Sequence, residues 1–214
     1  MKMKLLLAIA IVWASQASSQ AQGTITVNFT AAPGQPDVMN EGGTPLADGN
    51  YVRLGCFTPG FNILVNANNM TALSGAWNDF GFTTIRSIFG QPGRFAGTLS
   101  GSDPLFDNQQ MWLWIFRTAG DTAPVADMSN VMEYGIFSST GPNWLFPPQG
   151  TLPPGNTTSI NSSEVEQAVF GTFDANHLFL EVPEPSAYGL FAIGITLFSF
   201  YRLKGRHRAS KAGC

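Results

Sequence analysis

Lysine is missing from the whole centre of this chain: none occurs between Lys4 and Lys204. Residues 22–181 hold only Arg53, Arg86, Arg94 and Arg117 against thirteen carboxylates, so this stretch carries −9 although the full chain is −3. A surface so poor in cations repels phosphate backbones and argues against nucleic-acid binding. It suits divalent cations or basic partners instead. Cysteine is equally scarce. Cys56 is the one thiol of residues 22–181 and Cys214 ends the chain, so no intramolecular disulfide can staple the central stretch and its fold must stand on its core. The same stretch has one histidine, His177, followed at once by the apolar Leu178 to Leu180. A histidine at a strand start reads as structural. Gly-x-Ser-x-Gly, His-Glu-x-x-His, Walker and Cys-x-x-Cys patterns are all missing, which leaves nothing that marks an enzyme, a cofactor or a bound metal.

What is present is period-two alternation, broken by Gly, Pro, Asn and Asp. Residues Thr24 to Thr30 put Ile25, Val27 and Phe29 on one face, and Tyr51 to Thr58 put Val52, Leu54 and Cys56 on another. Cys56 is therefore expected as a small buried apolar group. Phe95 to Ser100, Glu133 to Ser138 and His177 to Val182 alternate in the same way. Met111 to Phe116 is apolar on both faces, the pattern of a central strand covered on both sides. Turn signals at Ala47 to Asn50 and at Pro153 to Asn156 divide these runs at intervals that suit a sandwich or barrel. The fold class predicted is mainly β, a single antiparallel β-sandwich or barrel-like domain with one or two short helices. One helix is expected within Asn66 to Phe80, from Met70, Leu73 and Trp77 at helical spacing. A capping-box turn is expected from Ser163 through Ala168. Gln149 to Ser162 reads as a polar loop.

Carboxylates and aromatics supply the remaining candidates. Asp103 and Asp107 flank Pro104-Leu105-Phe106, and Asp121, Asp127 and Glu133 form a looser series. Glycoside hydrolysis uses such pairs, but loop-capping aspartates are the preferred reading, and the Asp-x-Asp-x-Asp-Gly spacing of a calcium loop is missing. Trp77, Trp112, Trp114 and Trp144 could build a sugar-stacking platform, although a domain without disulfides needs such rings in its core first. Trp144, set between Gly141-Pro142 and Pro147-Pro148, is the candidate exposed glycan contact.

Both ends read as addresses. Lys2 and Lys4, the apolar Leu5 to Trp13 and the polar Ser15 to Gln22 form a signal peptide over residues 1–21, with cleavage expected after Ala21 and Ala17 as the alternative. At the other end Val182-Pro183-Glu184-Pro185-Ser186 precede an uncharged run from Ala187 to Tyr201 and a basic tail over residues 202–211. Pro183 and Pro185 hold the chain extended and clear of the domain. The run of 15 residues spans roughly 22 Å as a helix, short of the ~30 Å hydrocarbon core. Length alone favours a core helix. Tyr188 and Tyr201 at its ends and Arg202, Lys204, Arg206 and Arg208 after it favour a C-terminal hydrophobic anchor helix, with the basic residues snorkelling.

In order and content, residues 182–208 resemble the PEP-CTERM sorting signal of Gram-negative bacteria, a tail also labelled an ice-binding-protein C-terminus. The resemblance implies that an exosortase recognises Pro183, Glu184 and Pro185, and that the anchor in the inner membrane is transient. Proteins with such tails are typically surface or matrix components made alongside exopolysaccharide. The stretches Phe89 to Phe95, Trp112 to Phe116 and Ala126 to Asn130 look, more weakly, like domains attached to such tails. The expected organisation is a signal peptide over 1–21, an extracellular β domain over 22–181 and a sorting signal over 182–208. The expected function is a structural or interaction role at the cell surface or in the matrix, with no catalytic activity. A lectin-like, carbohydrate-binding module is the alternative, and a secreted glycoside hydrolase ranks below both.

Overall fold

A computed structural model describes residues 23–149 and 155–183. The signal peptide, the sorting residues Glu184, Pro185 and Ser186, and the anchor and tail residues Ala187, Tyr188, Tyr201, Arg202, Lys204, Arg206 and Arg208 lie outside the described residues. The described chain is mainly β, as its alternation predicts. Its twelve strands are β1 (Ile25–Ala31), β2 (Asp37–Met39), β3 (Tyr51–Phe57), β4 (Trp77–Thr84), β5 (Arg86–Ile88), β6 (Gln91–Gly101), β7 (Trp112–Thr118), β8 (Val131–Ser138), β9 (Asn156–Asn161), β10 (Gln167–Phe170), β11 (Thr172–Phe173) and β12 (His177–Phe179).

These strands form three sheets rather than the expected single sandwich. Their orders are β5-β6-β1-β9, β10-β8-β7-β3-β4 and β11-β12-β2. The two larger sheets share one core: Ile25, Val27 and Phe29 of β1 meet Val52, Leu54 and Cys56 of β3 and Leu113 and Ile115 of β7. The third sheet adds Val38 and Leu178 to it. It exists because the C-terminal run splits. His177–Phe179 pair with β2, Leu180 N–H donates to Met39 O, and Glu181 then bridges to Tyr134 of β8. Pairing is not wholly antiparallel either, since β9 runs parallel to β1 and β12 parallel to β2. A parallel neighbour has to arrive by a crossover rather than a hairpin.

The middle strand of the five-stranded sheet is β7, and from Trp112 to Phe116 it is buried on both faces. Its inner face joins the shared core. On its outer face Trp112, Trp114 and Phe116 join Phe57, Tyr134 and Phe170 in a second, aromatic cluster beneath residues 58–76. That cover contains the one α-helix of the described residues, α1 (Met70–Ala76), capped by Asn69 Oδ1 accepting from Ala72 N–H at 3.0 Å and seated on the buried Leu73. The helix is half the expected length. Trp77 leaves the helical pattern to open β4, where pairing with Phe57 of β3 outweighs local helical spacing. A bulge follows, with Leu54 opposite Gly81 and Gly55 opposite Asp79. It lets Trp77 pack outward and Phe80 inward against Phe106 and Phe146. Gly55 is required there, since a Cβ on it would lie 2.6 Å from the Trp77 ring.

Two further expectations are corrected. The capping box belongs to Asn161 and Glu164 around a single 3-10 turn, Ser162–Glu164. The residues from Gln167 onward are strand β10 rather than a helical turn, because they pair with β8. The supposed loop before it contains β9. Only Ile160 of β9 is buried, so its polar outer face hid its strand character.

Cys56 lies in the core as expected, and burial pushes its thiol up to about 11. The native chain should therefore leave Cys56 unlabelled by iodoacetamide at mildly alkaline pH, as mapped by peptide mass. Cys56→Ser should cost roughly 1–3 kcal/mol in urea unfolding. Rapid native labelling at Cys56 would contradict the packing.

Candidate functional site

The aromatic cluster on the outer sheet face is tied together through Trp114. Its ring lies 5.2 Å from Trp77, 4.9 Å from Phe116 and 6.3 Å from Tyr134. Arg53 spans two of these rings, with its guanidinium carbon 5.8 Å from Trp77 and 6.0 Å from Trp114. Asp79 accepts from both Arg53 Nε and Trp77 Nε1 at 3.1 Å. The cover is fastened at its neck by Thr58 N–H donating to Ala76 O at 2.8 Å and in its middle by Tyr134 Oη donating to Ala67 O at 2.5 Å. Residues 54–78 carry no charged side chain.

Where the cover meets the free edge of β10, a trench of about 1020 Å³ opens. Phe61, Ile63 and Leu64 form one wall, Gln167 to Val169 and Phe173 the other, and Trp112 lies between them. Phe57 anchors two of these groups, stacking on Phe61 at 5.6 Å and meeting Trp112 edge-on at 6.1 Å. Leu64 is 74% exposed at the rim, while Trp112 is 8% exposed. Glu166 stands at the mouth. Its Oε2 accepts from Thr140 Oγ1 at 2.7 Å, Ser139 Oγ at 3.1 Å and Thr140 N–H at 3.2 Å. These bonds, the Thr140 hydroxyl first, hold its carboxyl below the usual glutamate range.

A second, smaller cleft of about 320 Å³ lies beside β2 and β12. There His177 Nδ1 donates to Asp37 Oδ1 at 2.5 Å, and Arg94 faces the other carboxylate oxygen at 3.6 Å. Arg94 also donates to the carbonyls of Ala32 and Gln35, so this buried cation stitches the turn before β2 to β6. The histidine holds two strands together, in keeping with a structural role. Among the described residues no hydroxyl or thiol side chain lines the cleft to serve as a nucleophile.

The expected glycan contact at Trp144 is overturned. Its side chain is 1% exposed and sits in the shared core, with Nε1 donating to Glu164 Oε2 at 3.1 Å. The neighbouring prolines restrict the backbone of the 3-10 turn Pro142–Trp144, and that turn points the ring inward. The loop carboxylates are dispersed and employed locally. Asp103 caps Leu105 N–H at 2.9 Å, Asp107 accepts from Gln149 N–H at 3.1 Å, Asp121 accepts from Asn50 Nδ2 at 2.7 Å and Asp127 accepts from Ser129 Oγ at 2.8 Å. Glu133 pairs with Arg117 and accepts from Glu41 N–H at 3.0 Å. Among the described residues no group of three or more His, Cys, Asp or Glu side chains is placed to hold a metal ion.

Sequence reasoning missed the trench. Its walls come from segments far apart in the chain, and the one signal near it, the lack of charge over residues 54–78, went unread. It also missed Asp37 as the shared partner of His177 and Arg94, since no short spacing links the three.

Because hydrogen bonds lower the folded pKa of Glu166, the stability it adds is fully present above the ordinary glutamate pKa. It is lost as the pH falls through the lowered folded value. Glu166→Gln should melt below the parent at about pH 6 and converge with it towards about pH 2. Melting curves across that range test this, and a gap of constant size would contradict it. Compared with known proteins, the chain matches no family model, no curated protein and no solved structure.

Proposed function

We propose that this chain is an exported surface or extracellular-matrix protein, sorted through its C-terminal segment by an exosortase, whose β domain acts by contact rather than by catalysis. The observation that carries the proposal is the junction at Glu181. Leu180 N–H donates to Met39 O at 2.9 Å, and Glu181 exchanges two 3.0 Å backbone bonds with Tyr134. At the next residue the pairing stops. Val182 is 48% exposed and Pro183 follows with no N–H to give. Among the described residues the last strand pairing is thus at Glu181, two residues before Pro183 opens the Pro-Glu-Pro motif, so the paired sheet does not include the start of that motif.

The N-terminus supports the same reading. Strand β1 starts at Ile25, so cleavage after Ala21 removes the apolar leader and leaves the paired strand whole. Among the described residues no helix is long and apolar enough to cross a membrane. The transient inner-membrane anchor of this proposal is assigned to residues 187–201, beyond them. The acidic balance of residues 22–181 favours contact with neutral or cationic material and disfavours nucleic acid.

Glu184→Ala, and separately deletion after Val182, should leave export intact while abolishing processing at the tail. Intact mass and cell fractionation read both effects. An unchanged C-terminus and unchanged location in the Glu184→Ala strain would refute sorting by this motif.

A further inference from the structure

We propose that the trench between the edge of β10 and residues 60–64 binds a neutral saccharide chain, an inference that rests on the β domain acting by contact. Its size falls at the upper end of ligand clefts, which run to about 1,000 Å³. It is open to solvent, as a polymer site must be. The chemistry of the walls selects the ligand. Phe61, Trp112 and Phe173 present aromatic surface, and rings of this kind pack against the C–H faces of a pyranose. Asn62, Gln167 and Thr172 supply amide and hydroxyl groups on the same walls, matching the polar edges of a sugar ring. A plain hydrocarbon would leave those groups unpaired, which costs affinity.

Charge narrows the class further. Among the described residues no cation lines the trench, and residues 54–78 contain none. Among the described residues its one charged side chain is Glu166, which is kept ionised by Thr140 and Ser139. Uronic acids, phosphorylated or sulfated glycans and fatty-acid carboxylates would meet repulsion with no compensating partner. A neutral chain meets none, and Glu166 can accept from its hydroxyls. The rings are also fixed in advance, because Phe61 and Trp112 both pack on the buried Phe57. Binding then needs little side-chain ordering.

The test is calorimetric titration of the full exported protein with cellohexaose, maltohexaose, laminarihexaose and chitohexaose, with polygalacturonate as the acidic counterpart. At least one neutral hexasaccharide should bind, shift tryptophan emission and keep its affinity in high salt. Phe173→Ala and Gln167→Ala replace exposed groups, so melting should hardly move, while affinity falls by about tenfold for the lost ring. Three results would overturn the proposal: no binding of any neutral hexasaccharide at millimolar concentration, binding that neither substitution weakens, or a preference for polygalacturonate. Capture of an extended Val-Thr repeat peptide in place of sugar would also overturn it and would assign the β10 edge to strand addition. Tail processing, followed in the same strains, is independent of all four outcomes, so a failure here is distinguishable from a failure of the sorting proposal.

Discussion

A strand that is apolar on both faces must be covered on both faces, and the architecture follows from meeting that demand at Trp112 to Phe116. The inner face, through Leu113 and Ile115, is closed by the sheet built around β1. The outer face carries two indoles and a phenyl ring, too large an apolar area to leave in water at about 25 cal/mol per Å². Among the described residues no second sheet lies there. Residues 58–76 close it instead, as a charge-free cover pinned at Thr58 and Ala67 and seated through Leu73. The trench is the seam this cover leaves against the edge of β10, so the candidate binding site is a by-product of how the central strand is buried.

With few cations available, carboxylates here are satisfied mainly by hydrogen-bond donors. Asp103, Asp127 and Asp174 cap turns, Glu164 closes a capping box, and Glu166 collects two hydroxyls and an amide. The buried arginine joins distant segments. Arg94 ties the turn before β2 to β6 and faces Asp37, which also holds His177. The acidic surface is thus compatible with a disulfide-free fold. It also leaves the neutral patch over 54–78 as the face where contact with uncharged material costs least.

Much of the core was legible from alternation. Ile25, Val27, Phe29, Val52, Leu54 and Cys56 are buried in the positions that period two assigns, and β7 is central as its two-faced run requires. Tertiary pairing hid the rest. Trp77 has helical spacing to Met70 and Leu73 yet joins β4, because its partner on β3 lies outside any local window. The polar face of β9 disguised a strand that pairs in parallel with β1. Trp144 shows the limit of turn chemistry: proline fixes the backbone dihedral but not the direction of the ring beside it. The trench itself was not legible, since Phe61, Trp112 and Phe173 meet only after three separate segments have folded.

The claim on which this account turns is that residues 58–76 are a structural layer over β7, and Leu73, wholly buried within that layer, gives direct access to it. Urea unfolding of Leu73→Ala should show a loss of about 2–5 kcal/mol, with new binding of a hydrophobic dye as the aromatic face becomes accessible. Unchanged stability and no dye binding would contradict the claim and show that the central strand is held without its cover.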